Sequence, residues 1–172
     1  MLLDDDAWIE NIDMQEIQTY FRAHTDTALL APKILYPNKK VQESVRSFPT
    51  VTSLLWRGSR LYKLFPHVSW YTKYVHNDIT SIHEIDWAIG ACLVFPKSVY
   101  ASTGSFDEGY FFGYEDTDFC YRLKKQGYKN MFWPTTTIIH EYARISSSPF
   151  SILFWKHIYS ILRFYTKRTA AQ

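Results

Sequence analysis

Three groups of residues in this 172-residue chain are of types and spacings that could do chemistry rather than only pack. The first is Asp4-Asp5-Asp6, which follows the apolar Met1-Leu2-Leu3. Alternate carboxylates at a strand end can converge on a hard divalent cation, and that cation can neutralise a diphosphate. A solvated turn or a helix cap accounts for the same triplet. The second is Glu115-Asp116, with Asp118, at the start of a helix. The helix dipole stabilises acids there, so capping is one reading. The other is that one carboxylate faces a cleft and accepts the proton of an attacking hydroxyl. The third is His140, at the carboxy end of a predicted strand after Ile138 and Ile139. It is either a satisfied side chain or an imidazole that completes a metal site begun by distant carboxylates.

The elements that must position these groups are legible to different degrees. Met1-Leu2-Leu3 reads as the end of a buried strand with no partner in its own neighbourhood, which implies a preceding segment. Residues 12–23 carry Ile12, Ile17, Tyr20 and Phe21 at near-helical spacing, with Asp13 as the cap. Residues 27–35 read as a strand entering a turn at Tyr36-Pro37-Asn38. Residues 38–85 carry the fewest signals: a helix from Val51 to Leu64 and a polar, aromatic loop from Pro66 to Ile85. A loop of that length is read as an excursion over the site. The stretch 87–95 is β-rich with a glycine-alanine break, where a ligand or backbone can come close. A short helix, a turn and an aromatic, glycine-containing loop follow, then the helix over 115–128, which stops at Gly127. Residues 129–133 and 135–140 are predicted as two strands joined through Pro134, and 150–168 as an amphipathic helix with a basic end.

Composition sets bounds on function. Hydrophobic residues make up 47% of the chain against only six glycines, enough to bury a core and to exclude disorder. The aromatic load, 18%, fits a packed core and also a carbohydrate-handling surface. A net charge of +2, with Lys and Arg scattered, excludes the dense basic face that a nucleic-acid partner requires. Cys92 and Cys120 lie in apolar stretches without metal-ligand spacing and read as buried free thiols of a reducing compartment. The acidic start lacks the basic region of a signal peptide, and no apolar run reaches the roughly 18 residues of a bilayer span. The expected location is cytoplasmic, or peripheral on the inner face of the membrane.

The order of these features carries a resemblance. LLDDDAW (2–8), APKILYPNKKVQESVRSFPT (31–50), the block from Asp86 to Pro134 and TTIIHEYARIS (136–146) resemble the later half of family 2 glycosyltransferases of GT-A fold. The similarity is strongest to the rhamnosyl- and galactofuranosyl-transferase-like branch. It rests on an aromatic before Gly-Ala, then GxFDE, then an ED-containing helix, then strands ending in His.

The resemblance implies an α/β, Rossmann-related, GT-A-like mixed sheet flanked by helices, without the amino-terminal nucleotide-binding strands. It implies a catalytic portion over residues 1–148 and a basic helix over 149–172. Asp4 and Asp6 match the two acidic positions of the DxD segment, and His140 matches the histidine that joins them on Mg2+ or Mn2+. Asp116 matches the general base, and it is expected to ionise easily beside a cation and at a helix start. Glu115 shapes the pocket or holds an acceptor hydroxyl. Asp4 and Asp5 stand near the donor, and Trp87, Gly90 and Ala91 line the sugar pocket. The implied reaction is an inverting, metal-dependent transfer from a nucleotide-sugar donor to a saccharide or lipid-linked acceptor, in cell-surface polysaccharide or glycolipid synthesis. The alternative is a non-catalytic remnant that keeps the fold for binding or assembly. The final helix either packs on the domain, forms a contact in a homo-oligomer, or lies on an anionic membrane surface.

Overall fold

The structure is a computed structural model that describes residues 1–59, 78–141 and 150–170. Much of the loop expected over 66–85, the end of the helix expected to reach Leu64, and residues 142–146 of the last matching segment lie outside these. The described elements, in chain order, are β1 (Leu2–Leu3), β2 (Ala7–Asn11), α1 (Met14–Ala23), β3 (Thr27–Leu35), β4 (Val45–Arg46) and α2 (Val51–Gly58). They continue with β5 (His83–Ile85), β6 (Trp87–Ala88), β7 (Cys92–Leu93), α3 (Lys97–Thr103), α4 (Glu115–Lys125), β8 (Lys129–His140) and α5 (Ile152–Ala170). This is a mixed α/β architecture, a mixed sheet flanked by helices, as expected.

The sheet is built around β8. One side of it pairs in parallel with β3, and the other pairs antiparallel with β5 over its first part and with β2 over its last. A strand covered on both faces should be apolar throughout, and Thr27–Pro32 of β3 is buried without interruption. Its side chains alternate between two cores. Leu29 and Ala31 join Phe119, Leu123 and Phe132 on the α4 side, whereas Leu30 and Ile34 join Ile17, Trp133 and Ile138 on the α1 side. Burial of each such large side chain contributes roughly 2 kcal/mol.

Asp13 caps α1 as predicted, its carboxylate accepting the N–H groups of Gln15 and Glu16. The prediction of two strands split at Pro134 is corrected: β8 is one strand of 12 residues. The register with β3 jumps from Pro32↔Trp133 to Lys33↔Thr137. A proline has no N–H to give the ladder, and here Pro32 and Pro134 both sit at the irregularity, so the strand bulges instead of ending. The carboxy end of the long loop is likewise partly ordered as β5. The partner that Leu2–Leu3 lacks locally is β7, some ninety residues on.

Helix α5 packs on the domain, which decides in favour of that reading for its inner face. Phe164 is fully buried against Tyr110 and Tyr114. Arg163 and Lys167 both reach Asp107, and Lys167 also reaches the buried Asp118 at 2.8 Å. Asp118 further accepts from Tyr110 and from Arg122 Nε. This acid of the ED-containing helix therefore holds the fold together. Arg163 and Lys167 turn inward to acids, while Ile152, Trp155, Tyr159 and Leu162 are exposed along the outside. Among the described residues no helix is long and apolar enough to cross a membrane.

Candidate active site

Sheet register brings together groups that are far apart in sequence. Antiparallel pairing of β2 with β8 sets Ala7 opposite His140, so Asp6 lies beside the imidazole. The N–H of Glu141 donates to the Asp6 carbonyl and clamps that corner. On the other flank, β1 pairs with β7 and the Asp4 N–H donates to the Ala91 carbonyl at 3.0 Å. The acidic triplet thus bridges two strand pairs, and each end of it is fixed by main-chain hydrogen bonds.

One donor atom each of Asp4, Asp6 and His140 lies within 4.8 Å of the other two. His140 is buried, and its Nε2 stands 3.2 Å from Asp6 Oδ1. Two carboxylate oxygens and one imidazole nitrogen at this spacing fit a hard or borderline divalent cation such as Mg2+ or Mn2+. Asp4 keeps solvent contact, yet partial desolvation raises its pKa; the neighbouring His140 opposes the rise, and Asp6 and Asp5 add to it. Asp5 itself is exposed.

The acids of α4 approach from the other side through Gly90. The Gly90 N–H donates to Asp116 Oδ2 at 2.9 Å, and the Thr117 N–H and hydroxyl donate to Oδ1 at 2.6 and 3.2 Å. Gly90–Ala91 therefore links the two sets, with Gly90 on Asp116 and Ala91 on Asp4. A Cβ at Gly90 would sit 3.8 Å from Asp116, an ordinary contact, so no steric demand selects glycine here.

The expectation that Asp116 ionises easily is corrected. The carboxyl is buried, and desolvation raises its pKa above the ordinary value; the hydrogen bonds and the charge of Arg46 only partly offset this. Glu115 is lifted to about 7, first by burial, then by Asp116 and, through space, by Asp4. Its Oε2 is buried with no hydrogen-bond partner among the described residues. An isolated buried carboxylate oxygen is costly, which makes Glu115 a group in want of a ligand or a proton. The residue before this pair, Tyr114, has a left-handed φ of 74°, rare for a non-glycine residue. It is held there by packing on Phe164 and His157.

Trp87 opens the segment that leads into Gly90–Ala91, as the first residue of β6. Its ring is buried in the core, its N–H donates to the Ser47 carbonyl, and Arg46 lies over its face. At 7% exposure it presents little surface of its own. Sequence reasoning missed Gln42 and Arg46, which belong to the stretch that carried the fewest signals. Gln42 is buried against His140, and Arg46 acts electrostatically on Asp116. Nothing in their local pattern announces either role.

No family model matches the chain. Among curated proteins it is similar to an N-acetylglucosaminyl-diphospho-decaprenol L-rhamnosyltransferase of Mycobacterium tuberculosis, 32% identical over 117 residues, or 66% of this chain and 37% of that protein. It is also similar to a low-salt glycan biosynthesis hexosyltransferase of Haloferax volcanii, 27% identical over 126 residues, 73% of this chain and 36% of the relative. A rhamnosyltransferase of Escherichia coli is 31% identical over 97 residues, 56% of this chain and 37% of the relative. The matched region thus spans little more than a third of each relative. The chain is a homologue of sugar transferases, and its mixed sheet flanked by helices is consistent with a GT-A-like glycosyltransferase domain.

Proposed function

We propose that this chain forms the catalytic portion of a glycosyltransferase, residues 1–148, followed by a helix over 149–172 that docks on it. In this reading it moves a sugar from a nucleotide-sugar donor to a hydroxyl of a saccharide or lipid-linked acceptor, with inversion, in glycan or glycolipid synthesis. The observation that carries it is the convergence of Asp4, Asp6 and His140, whose ligand atoms come from opposite ends of the sequence.

Asp4, Asp6 and His140 would hold Mg2+ or Mn2+; when bound, the cation acts as a Lewis acid on the diphosphate oxygens of the donor. Asp116 takes the proton of the acceptor hydroxyl as its oxygen bonds to the anomeric carbon. The bond from that carbon to the diphosphate breaks, and the nucleoside diphosphate leaves with the electron pair. A carboxylate whose proton affinity is raised by burial is a stronger base than an exposed aspartate. Glu115, with its unpartnered oxygen, is assigned to an acceptor hydroxyl. Gly90 and Ala91 position both acid sets through their main chain, and Asp5 lies toward the donor.

A lipid-linked acceptor also gives a place to the outer face of α5. Ile152, Trp155, Tyr159 and Leu162 recur at helical spacing and stay exposed, and the helix contains no acid. An apolar face with Trp and Tyr beside Lys156 suits the interface of an anionic bilayer. Transfer assayed with Mn2+ on candidate nucleotide-sugars, comparing the chain with Asp116→Asn, tests the reading. Activity lost in the variant is expected. Activity retained removes Asp116 as the base, and no transfer in either chain favours a non-catalytic homologue that binds or assembles.

A further inference from the structure

We infer that Gln42 is a positioning residue that holds the His140 ring with Nε2 toward Asp4 and Asp6 and so prepares it as a cation ligand. The inference rests on the cation reading above and adds a residue to it. Gln42 is buried at 5% exposure and lies just past the turn at 36–40, which folds the chain back so that Val41 bridges Leu35. Its own N–H is fixed on the Ile34 carbonyl at 2.9 Å. The side chain then meets His140 twice. Nε2 donates to the His140 main-chain carbonyl at 2.6 Å, with Leu35 O at 3.4 Å, and Oε1 faces the ring Nδ1 at 3.0 Å.

The amide has one sensible orientation. Its nitrogen end faces two carbonyl oxygens, both acceptors only. Turning it over would set an oxygen against oxygens in a buried place and leave the amide donors without those partners, a cost of the order that a lost buried hydrogen bond carries. Oε1 therefore faces Nδ1, and an acceptor there requires the proton on Nδ1. The lone pair of a neutral ring then falls on Nε2, 3.2 Å from Asp6 Oδ1. A lone pair against a carboxylate oxygen is acceptor against acceptor, which a cation between them resolves. Outer residues that fix a metal-bound histidine in this way commonly change metal affinity 10- to 100-fold when removed. Glutamine has the reach to span both the carbonyl and the ring of one histidine across 98 residues of sequence.

The test titrates Mn2+ alone into the 172-residue chain, with free Mn2+ read by electron paramagnetic resonance. The parent, Gln42→Met and Asp6→Asn are compared. Methionine keeps the length and removes all three side-chain hydrogen bonds. Binding weakened about 10- to 100-fold in Gln42→Met is expected, with Asp6→Asn at least as impaired. In parallel, long-range proton–nitrogen spectra without metal at pH 8 report the His140 tautomer, assigned by its loss in His140→Asn. The parent should carry its proton on Nδ1, and Gln42→Met should shift population toward the Nε2-protonated ring, an effect that mere loosening of the fold would not produce. Parent-like Mn2+ affinity in a folded Gln42→Met overturns the inference while the cation reading stands. A parent ring protonated on Nε2 instead of Nδ1 overturns it even if the methionine variant fails to fold. A parent that binds Mn2+ no better than Asp6→Asn overturns the cation reading itself and the positioning role with it.

Discussion

Glu115→Gln isolates the cost of keeping a carboxylate in this site. Burial and the charges of Asp116 and Asp4 lift the Glu115 carboxyl from 4.5 to about 7. The roughly 2.5 pH units between these values, at about 1.36 kcal/mol each, set an upper limit of roughly 3 kcal/mol. Glu115 retains some solvent contact, so screening reduces this to an expected 1–3 kcal/mol, on the order of the limit or below it. The sign follows from proton binding. The folded chain holds the proton more tightly than the unfolded chain, so between the two values it carries more protons. Stability contributed by this residue therefore falls as pH rises from about 4.5 to about 7, and the full cost is present above that window. Glutamine has nearly the same shape and never charges. Urea unfolding at two pH values reads the difference. Parent and variant should be about equally stable near pH 4.5, and the variant should be more stable by about 1–3 kcal/mol at pH 8. A stability gap that is the same at both pH values, or a parent that is the more stable at pH 8, refutes the account of this acid pair.

Other expectations follow from the same contacts. Phe164→Ala should cost about 3–5 kcal/mol in urea unfolding, because a fully buried ring leaves a cavity between α5 and the Tyr110–Tyr114 loop. Lys167→Met should destabilise by about 1–2 kcal/mol, since Asp118 loses one charged partner but keeps Arg122 and Tyr110; a loss near zero would remove the ion network as a tie for α5. Asp13→Ala should cost about 1 kcal/mol by removing the cap of α1, checked by thermal unfolding. Trp155→Ser with Tyr159→Ser should lower co-sedimentation with anionic vesicles while leaving the unfolding midpoint near the parent value, as both side chains are exposed. Equal sedimentation would remove the outer face of α5 as a membrane surface.

How much of this was legible in the sequence depends on the range of the interaction. Asp13 capping α1, the acidic first turn of α4 and the apolar run of β3 are local patterns, set by neighbouring residues and by the period of the element, and a sequence displays them directly. Pro134 is a case where local reading misled: the proline does block one ladder bond, but pairing on both sides of β8 carries the strand through it. The pair Glu115–Asp116 could be picked out by type, yet its electrostatics could not, because desolvation depends on what the rest of the chain packs around it. Likewise Asp118 looks like its neighbours in sequence and is separated from them only by Lys167 and Arg122.

The amino-acid order by itself determined the acids, the histidine and the elements that end at them, since capping, periodicity and strand length act within a few residues. Only the tertiary structure decided that Asp6 meets His140, that Gly90–Ala91 joins the acidic triplet to α4, and that Gln42 orients the imidazole. Those relations are set by strand register and by the turn at 36–40, and a one-residue slip in either would leave the same composition and periodicity while turning the donors apart.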